Sequence, residues 1–196
     1  MLYILVIFQT LIFICCCIFS IYLLILLIWS KGFTISPTVS SNKKSIKKIA
    51  EFLSNYIEEN SLKKVRILDI GSGYGKMLFG IEKELSKNKT LSQELIGYEI
   101  SKIPYNISKK LNKSKNIQFF NDDIFNLKDF KFDFVITFIL AKQQKLFLPV
   151  YRKFSKNTII IANSLPIPFE ENDNFRLTKT IKVDFRWNIY IYRRIS

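Results

Sequence analysis

This chain of 196 residues contains no histidine. The absence excludes histidine-ligated metal sites, histidine general bases and Ser-His catalytic triads, and we predict no metal site. Cysteine is scarce as well, since Cys15, Cys16 and Cys17 are the only three in the chain. Neighbouring cysteines on one helix point in different directions and cannot crosslink a fold. We interpret them as small apolar residues of the segment around them, with palmitoylation as the less favoured alternative.

Acidic residues are few: the chain has 16 Asp and Glu against 30 Lys and Arg, and its formal net charge is +14. Such a charge is typical of proteins that bind nucleic acid or anionic lipid. Proteins that bind single strands, however, interleave basic with aromatic residues, and no Lys/Arg run here does so. We therefore interpret most lysines as solvated surface residues, and nucleic acid is not an expected partner.

Charged side chains are missing altogether from residues 2–29. About 20 apolar residues suffice for a helix to span a bilayer, so this segment is long enough. A cleaved signal peptide is the alternative, but it requires a basic start and a shorter apolar core. We predict an uncleaved, single-pass transmembrane anchor over residues 1–30, which makes the membrane bilayer a partner. Lysines that follow it, from Lys31 to Lys48, place the C-terminal domain on the cytosolic side by the positive-inside rule.

The remainder of the chain divides into a linker and one domain. Residues 31–41 contain a proline and several hydroxyl residues and are predicted as a linker, and residues 42–196 are predicted as the globular domain. Asn42 is a candidate N-cap for an amphipathic helix whose apolar positions recur from Ile46 to Ile57. The lysine face of this helix has two interpretations, a solvated surface or contact with anionic lipid beside the anchor.

Three of the six glycines stand at alternate positions, Gly71, Gly73 and Gly75. The apolar run Val65–Ile70 before them predicts a buried strand, and the periodic residues after them predict a helix. Alternate glycines let the backbone approach a ligand closely, and the following helix offers free N–H groups. A bend that simply requires glycine is the alternative interpretation.

Two familiar glycine motifs do not fit this loop. A P-loop requires glycine at position 70 and Ser or Thr at position 77, where the chain has Ile70 and Met77. The dinucleotide motif requires its third glycine at position 76, which is Lys76. The remaining pattern, Asp-x-Gly-x-Gly-x-Gly, resembles motif I of the class I S-adenosylmethionine (SAM) methyltransferases, whose loop wraps the amino-acid end of the cofactor. The resemblance implies SAM as the cofactor, held in part by Asp69, Gly71, Ser72, Gly73 and Gly75.

Acidic residues follow the next two predicted strands. Glu99 lies near the end of Leu95–Ile100, where a carboxylate can accept hydrogen bonds from both hydroxyls of a ribose; a surface glutamate is the alternative. The methyltransferase resemblance implies that an acid after the third strand, Ile117–Asn121, contacts the adenine amino group. Asp123 fits this role best, and Asp122 could instead cap the turn that follows, so both remain candidates.

Strand and helix patterns alternate from Val65 to Ala162 and predict parallel βα units. Downstream, apolar residues recur at period two at Phe175, Leu177, Ile181 and Val183, which predicts a strand with one buried face. A second such strand follows, so we predict a terminal antiparallel hairpin with its turn near residues 184–186. The expected fold is α/β, a Rossmann-like, seven-stranded class I methyltransferase sheet preceded by one transmembrane helix.

The chain is also similar to the membrane-anchored protein-lysine methyltransferases, the family that includes the ATP synthase c-subunit lysine methyltransferase. The matching stretches are Pro37-Thr38, Asp69–Gly75, Gly97–Glu99, Asp123 and Leu165–Pro168. The resemblance implies a protein-lysine N-methyltransferase that acts on a membrane-associated protein. Methylation of a small molecule, a lipid or RNA, and a non-catalytic membrane adaptor, are the alternatives.

Two stretches depart from that family and concern the methyl acceptor more than the cofactor. Tyr74 stands where the family tends to carry Asp, and Leu140–Gln143 stands where it tends to carry Val-Pro-Gln beside the acceptor site. The candidates for the acceptor channel are Tyr74, Phe138, Ser164 and Pro166, where an aromatic wall would favour a cationic methylated amine. A catalytic base is not obligatory, because the sulfonium charge lowers the pKa of a nearby ammonium group.

Overall fold

The computed structural model describes residues 2–32 and 41–195. The chain forms two compact units that divide between Pro37 and Thr38. The first unit contains helix α1, Leu2–Gly32, whose stretch Val6–Leu24 has a mean hydropathy of 2.4 and is not buried in the protein. Among the described residues it is the one helix that is long and apolar enough to cross a membrane, judged by length and composition. Most of the predicted linker, Pro37 and Thr38 included, lies outside the described residues.

The second unit alternates helices and strands. Its helices are α2 (Lys43–Glu59), α3 (Lys76–Leu85), α4 (Lys102–Leu111) and α5 (Ala141–Tyr151). Its strands are β1 (Lys64–Ile70), β2 (Ser92–Tyr98), β3 (Ile117–Phe120), β4 (Phe134–Thr137), β5 (Ile159–Ser164), β6 (Phe175–Lys182) and β7 (Asn188–Arg194). Short 3₁₀ turns occupy Ile124–Asn126 and Glu171–Asp173.

The seven strands form one sheet in the order β3-β2-β1-β4-β5-β7-β6. Strands β1 to β5 run parallel, β7 runs antiparallel to β5, and β6 runs antiparallel to β7. The hairpin between β6 and β7 is closed by the N–H of Val183, which donates to the carbonyl of Trp187 at 2.9 Å. The predicted α/β, Rossmann-like sheet with a terminal antiparallel hairpin is therefore confirmed.

Both faces of the central strands are covered, which explains their nearly continuous apolar sequences. Ile67 and Phe134 pack with α2 and α3 on one face, whereas Leu68 and Val135 pack with α5 on the other. The Asn42 side chain caps α2 as predicted, since it accepts the N–H of Lys44 at 2.9 Å.

Strand β6 differs from the predicted strand with one buried face. A bulge between Leu177 and Lys179 shifts its pairing with β7 by one residue. One extra residue moves the side chains that follow to the opposite face of the sheet. Phe175 therefore packs into one face, and Ile181 and Val183 pack into the other.

The strand order reverses between β1 and β4, because the chain moves outward through β2 and β3 and then returns to the other side of β1. Ligands of open α/β sheets bind outside the carboxyl ends of the strands at such a switch point. The loop Gly71–Gly75 leaves β1 there, Glu99 follows β2, and Phe138 follows β4. The topology thus brings the predicted site residues to one edge of the sheet.

Candidate functional site

The glycine loop is shaped by residues in the left-handed backbone region. Gly71, Gly73 and Gly75 have φ values of 74°, 53° and 77°, which residues with a Cβ rarely adopt. The N–H groups of Gly71 and Ser72 both donate to the carbonyl of Tyr98 at 2.9 Å. The loop is therefore folded against the end of β2 before α3 begins at Lys76.

Gly97 explains how the loop can lie so close to β2. A Cβ at this position would lie 2.7 Å from Ser72 Oγ and 2.7 Å from Phe119 Cδ1. The sequence indicates Gly97 only through its family resemblance, and the structure supplies the physical reason: the absence of a side chain leaves room for the loop.

Glu99 joins the loop to the second strand directly. The residue is 7% exposed; its Oε2 accepts the N–H of Gly73 at 2.8 Å, and its Oε1 accepts the N–H of Ser101 at 2.7 Å. Each oxygen retains a further lone pair. Two backbone bonds thus fix a carboxylate that can still accept two hydroxyl groups, as vicinal ribose hydroxyls require.

Asp69, at the end of β1, is 5% exposed. Burial first, and then the negative charge of Glu99, raise the pKa of Asp69 to about 7. Among residues 2–32 and 41–195, no ion pair involves Asp69, Glu99, Asp122 or Asp123. The edge is therefore locally negative in a protein of net charge +14, an environment that favours a cationic ligand.

The two aspartates after β3 lie in one tight loop. Asp123 Oδ1 accepts the N–H of Phe125 at 3.1 Å and caps the 3₁₀ turn, whereas Asp122 Oδ1 accepts the N–H of Asp123 at 2.7 Å and the Nδ2–H of Asn126 at 2.8 Å. The cap therefore belongs to Asp123, so the alternative in which Asp122 caps this turn is wrong. The role of either residue at adenine remains a prediction.

Asn121 is a residue of this edge that sequence reasoning missed. Its Nδ2 donates to the carbonyls of Glu99 at 2.8 Å and Ile100 at 3.0 Å. These bonds tie the loop after β3 to the end of β2. An amide residue directly after a strand was the available signal, but it is too common to be specific.

The acceptor candidates are only partly brought together. Phe138 lies edge-on to Trp187, with ring centroids 5.5 Å apart. Ser164, at the end of β5, has the strained φ of 85°, a conformation that is often kept at functional sites. Among the described residues, no hydrogen bond or ring contact joins Tyr74 or Pro166 to the Phe138–Trp187 pair.

Asn163 holds the aromatic pair in place, and the sequence patterns did not predict it as a site residue either. It is 1% exposed; its Oδ1 accepts the indole N–H of Trp187 at 3.0 Å, and its Nδ2 donates to Ser41 Oγ at 3.3 Å. The three elements β4, β5 and the β6–β7 hairpin thus meet at Phe138, Asn163 and Trp187.

A family model described as a methyltransferase domain matches residues 61–182, more than half of the chain. The chain belongs to this methyltransferase family. No curated protein matches the sequence of this methyltransferase.

Solved structures share the fold of this methyltransferase. An RNA methyltransferase of Salinibacter ruber, in complex with S-adenosyl-L-homocysteine, has a TM-score of 0.64 at 16% identity, covering 81% of this chain and 95% of that one. A ribosomal protein L11 methylase of Lactobacillus delbrueckii subsp. bulgaricus has a TM-score of 0.59 at 18% identity, covering 80% and 81%. The [4+2]-cyclase SpnF has a TM-score of 0.56 at 12% identity, covering 82% and 84%. At these identities the likeness shows the fold alone, and one fold hosts several chemistries.

The residues of the methyltransferase site fit SAM as cofactor. The Ser72 hydroxyl is buried and has no hydrogen-bond partner among the described residues, and a buried polar group of this kind normally has one. A Cβ at Gly71 would meet nothing within 4 Å, so that side of the loop is open. With the negative edge at Asp69 and Glu99, the donors, acceptors and charge suit a cationic nucleoside. The predicted enzyme class and its SAM dependence are confirmed.

Proposed function

We propose that this methyltransferase is a membrane-anchored protein-lysine N-methyltransferase that acts on a membrane-associated protein. The observation that carries the proposal is the aromatic pair Phe138–Trp187 at the acceptor edge of the sheet. Aromatic faces attract ammonium and methylammonium groups through cation–π interaction. Lysine is the side chain that presents such a cation at the end of a slender, flexible stem.

The glycine loop, Asp69 and Glu99 are the residues that would hold the cofactor. Backbone N–H groups of the first turn of α3 suit its carboxylate, and the fixed oxygens of Glu99 suit its ribose hydroxyls. The carboxyl groups of Asp69 and Glu99, which form no ion pair with the described residues, suit its positive charge. When bound, SAM supplies a methyl group that its sulfonium sulfur has already activated.

The acceptor side of the site contributes position and desolvation. Asn163 fixes the indole of Trp187, and the rigid ends of β4 and β5 fix the ring of Phe138, so the two rings can orient an amine. An ammonium group that packs against these apolar rings loses water, and desolvation lowers its pKa. The amine can then lose its proton to solvent, which suits a chain without histidine.

The apolar helix α1 favours the proposal that the substrate lies at the membrane. Its length and composition suit a bilayer span, and a tethered enzyme meets membrane proteins at a high effective concentration. The structural neighbours do not decide the acceptor, because one is an RNA methyltransferase and another a ribosomal protein methylase, both under 20% identical to this chain.

Labelling identifies the acceptor class. Membranes that contain the full chain are incubated with methyl-labelled SAM, and the label is then challenged with protease, RNase and organic solvent. We expect the label to reside in protein and to be released by acid hydrolysis as methylated lysine. Label that RNase removes, or that organic solvent extracts, would replace the lysine proposal with RNA or with a lipid or small molecule.

Matched variants make the labelling specific. Glu99→Gln removes a carboxylate from the cofactor edge, whereas Glu59→Gln removes an exposed one at the end of α2. We expect Glu99→Gln to abolish the label, because it loses charge-assisted hydrogen bonds, and Glu59→Gln to retain it.

A further inference from the structure

Helix α4 has its apolar residues on the outside. Ile103, Ile107 and Leu111 are 49%, 39% and 58% exposed, whereas the residues that it buries are Pro104 and Ser108. Positions that are four residues apart lie on one face of a helix. The three side chains therefore form a continuous apolar stripe that the rest of the described protein leaves uncovered.

Lysines accompany this stripe. Within residues 100–121 there is no Asp or Glu, and the segment contains the exposed lysines Lys102, Lys109, Lys110, Lys113 and Lys115. None of them forms an ion pair with the described residues. An apolar stripe next to a basic face is the arrangement of helices that lie in the interface of an anionic bilayer.

We propose that α4 docks its apolar stripe onto an anionic membrane surface, with the neighbouring lysines on the lipid head groups. This inference rests on the membrane anchoring proposed above. Only eight residues, 33–40, separate the end of α1 at Gly32 from Ser41, and such a segment spans about 30 Å at full extension. The domain is thus confined near the bilayer, where a weakly binding helix gains a high effective concentration.

The membrane fits this surface better than a protein partner does. Residues 100–121 carry no carboxylate that could pair with cations of a protein partner, and juxtamembrane lysine clusters are attracted to anionic lipids. Docking would also orient the active site, because α4 begins three residues after Glu99, whose Oε1 accepts the N–H of Ser101. The cofactor edge would then be held close to membrane-associated substrates.

An environment-sensitive fluorophore tests the contact in the full chain. Cys15, Cys16 and Cys17 are changed to alanine, and the fluorophore NBD is attached at Ile107→Cys or, as the control, at Lys145→Cys, an exposed position of α5. The protein is reconstituted into vesicles of phosphatidylcholine alone or with about one-third phosphatidylserine. We expect a blue-shifted and severalfold brighter emission at position 107 in the anionic vesicles only, and water-like emission at position 145 in both.

Charge variants test the contribution of the lysines to docking separately from that of the anchor. The pair Lys109→Glu and Lys110→Glu should abolish the blue shift, whereas the matched pair Lys142→Glu and Lys145→Glu on α5, with NBD kept at position 107, should leave it unchanged. Flotation of the chain with phosphatidylcholine vesicles reports the anchor independently. Two results overturn the docking while leaving the anchor in place: the protein floats but shows water-like emission at position 107 in anionic vesicles, or the emission shifts are equal at positions 107 and 145. A protein that does not float overturns the anchoring itself.

Discussion

Asp69 is a carboxyl group in an environment that disfavours its charge. Burial, followed by the nearby charge of Glu99, raises its pKa to about 7. The group is neutral below that pH and ionised above it, so it changes charge in the physiological range of a chain that has no histidine. Its charge state therefore couples the cofactor site to pH.

We expect the affinity for SAM to rise severalfold as the pH increases from about 6 to about 8, because ionised Asp69 attracts the cofactor's net positive charge. S-adenosylhomocysteine lacks the sulfonium charge and should show a flatter profile. Titration calorimetry of the full chain in detergent measures both, and Asp69→Asn should flatten the SAM profile. A SAM affinity that does not change over this range would contradict the assignment.

The same residue should weaken the ligand-free fold. Its pKa is raised from 3.8 in the unfolded chain to about 7 in the folded one, so stability is lost as the pH rises from about 4 to about 7 and stays low above that. We expect Asp69→Asn to raise the free energy of unfolding at pH about 8 by on the order of 2 kcal/mol, with little effect near pH 4. Urea unfolding measures this, with the exposed Glu58→Gln as the control; equal effects at both pH values would count against it.

Two close approaches between elements occur at glycines without a positive φ. Gly97 lets the loop after β1 approach β2, and Gly80 lets α3 approach α2, since a Cβ at Gly80 would lie 2.2 Å from Ile46 Cγ2. Neither glycine has a positive φ, so alanine tests close packing rather than backbone strain.

The two substitutions should separate binding from stability. We expect Gly97→Ala to weaken SAM binding about tenfold or more, because its Cβ displaces Ser72, whose buried hydroxyl has no partner among the described residues, and with it the glycine loop. Gly80→Ala should lower the free energy of unfolding by about 1–3 kcal/mol and leave the affinity of the folded protein for SAM nearly unchanged. Calorimetry and urea unfolding give both quantities; the reverse pattern would refute these roles.

The β6–β7 hairpin is the element that brings Trp187 against Phe138, where Asn163 binds its indole N–H. The chain has two tryptophans, so Trp29→Phe leaves Trp187 as the sole indole fluorophore. We expect choline to change its emission saturably, because a trimethylammonium group binds aromatic faces, and the uncharged isostere 3,3-dimethylbutan-1-ol to change it far less. Asn163→Ala should weaken the choline response, and identical responses to the two compounds would argue against a cation site.

For the whole molecule, charge is distributed unevenly between the surface and the site. The net charge is +14, yet Asp69 and Glu99 are unpaired among the described residues. Surface lysines can thus face anionic lipid while the cofactor edge attracts a cation. The lysines near the apolar stretch of α1 also predict on which side of the membrane the second unit lies.

The lysines that follow the apolar stretch of α1 should hold the second unit on the cytosolic side. In a bacterial host that expresses the full chain, trypsin should digest residues 41–195 in inside-out membrane vesicles and spare them in right-side-out cells with permeable outer membranes. Lysines changed to glutamine at Lys31, Lys43 and Lys44 should lower this asymmetry. Digestion from the outer side of the wild-type membrane would disprove the orientation.

Much of the fold follows from local sequence patterns. The patterns that predict the glycine loop, the strand before it and the acid after β2 involve residues close together in the sequence. They can therefore be recognised without tertiary information. The aromatic pair was not predictable in this way, because Trp187 and Asn163 are 24 residues apart and Asn163 and Ser41 are 122 apart. The bulge in β6 was likewise not predictable, because the apolar residues keep their period-two spacing on both sides of it.

The sequence by itself determined the apolar helix α1, the βα order and the type of glycine loop, because hydrophobic period and backbone freedom act over short stretches of chain. Tertiary structure alone decided that Asp69 titrates near neutral pH, that Trp187 meets Phe138, and that the apolar residues of α4 face outward. Each of these depends on which distant segments pack together, since burial, charge proximity and exposure are properties of the assembled sheet and its helices.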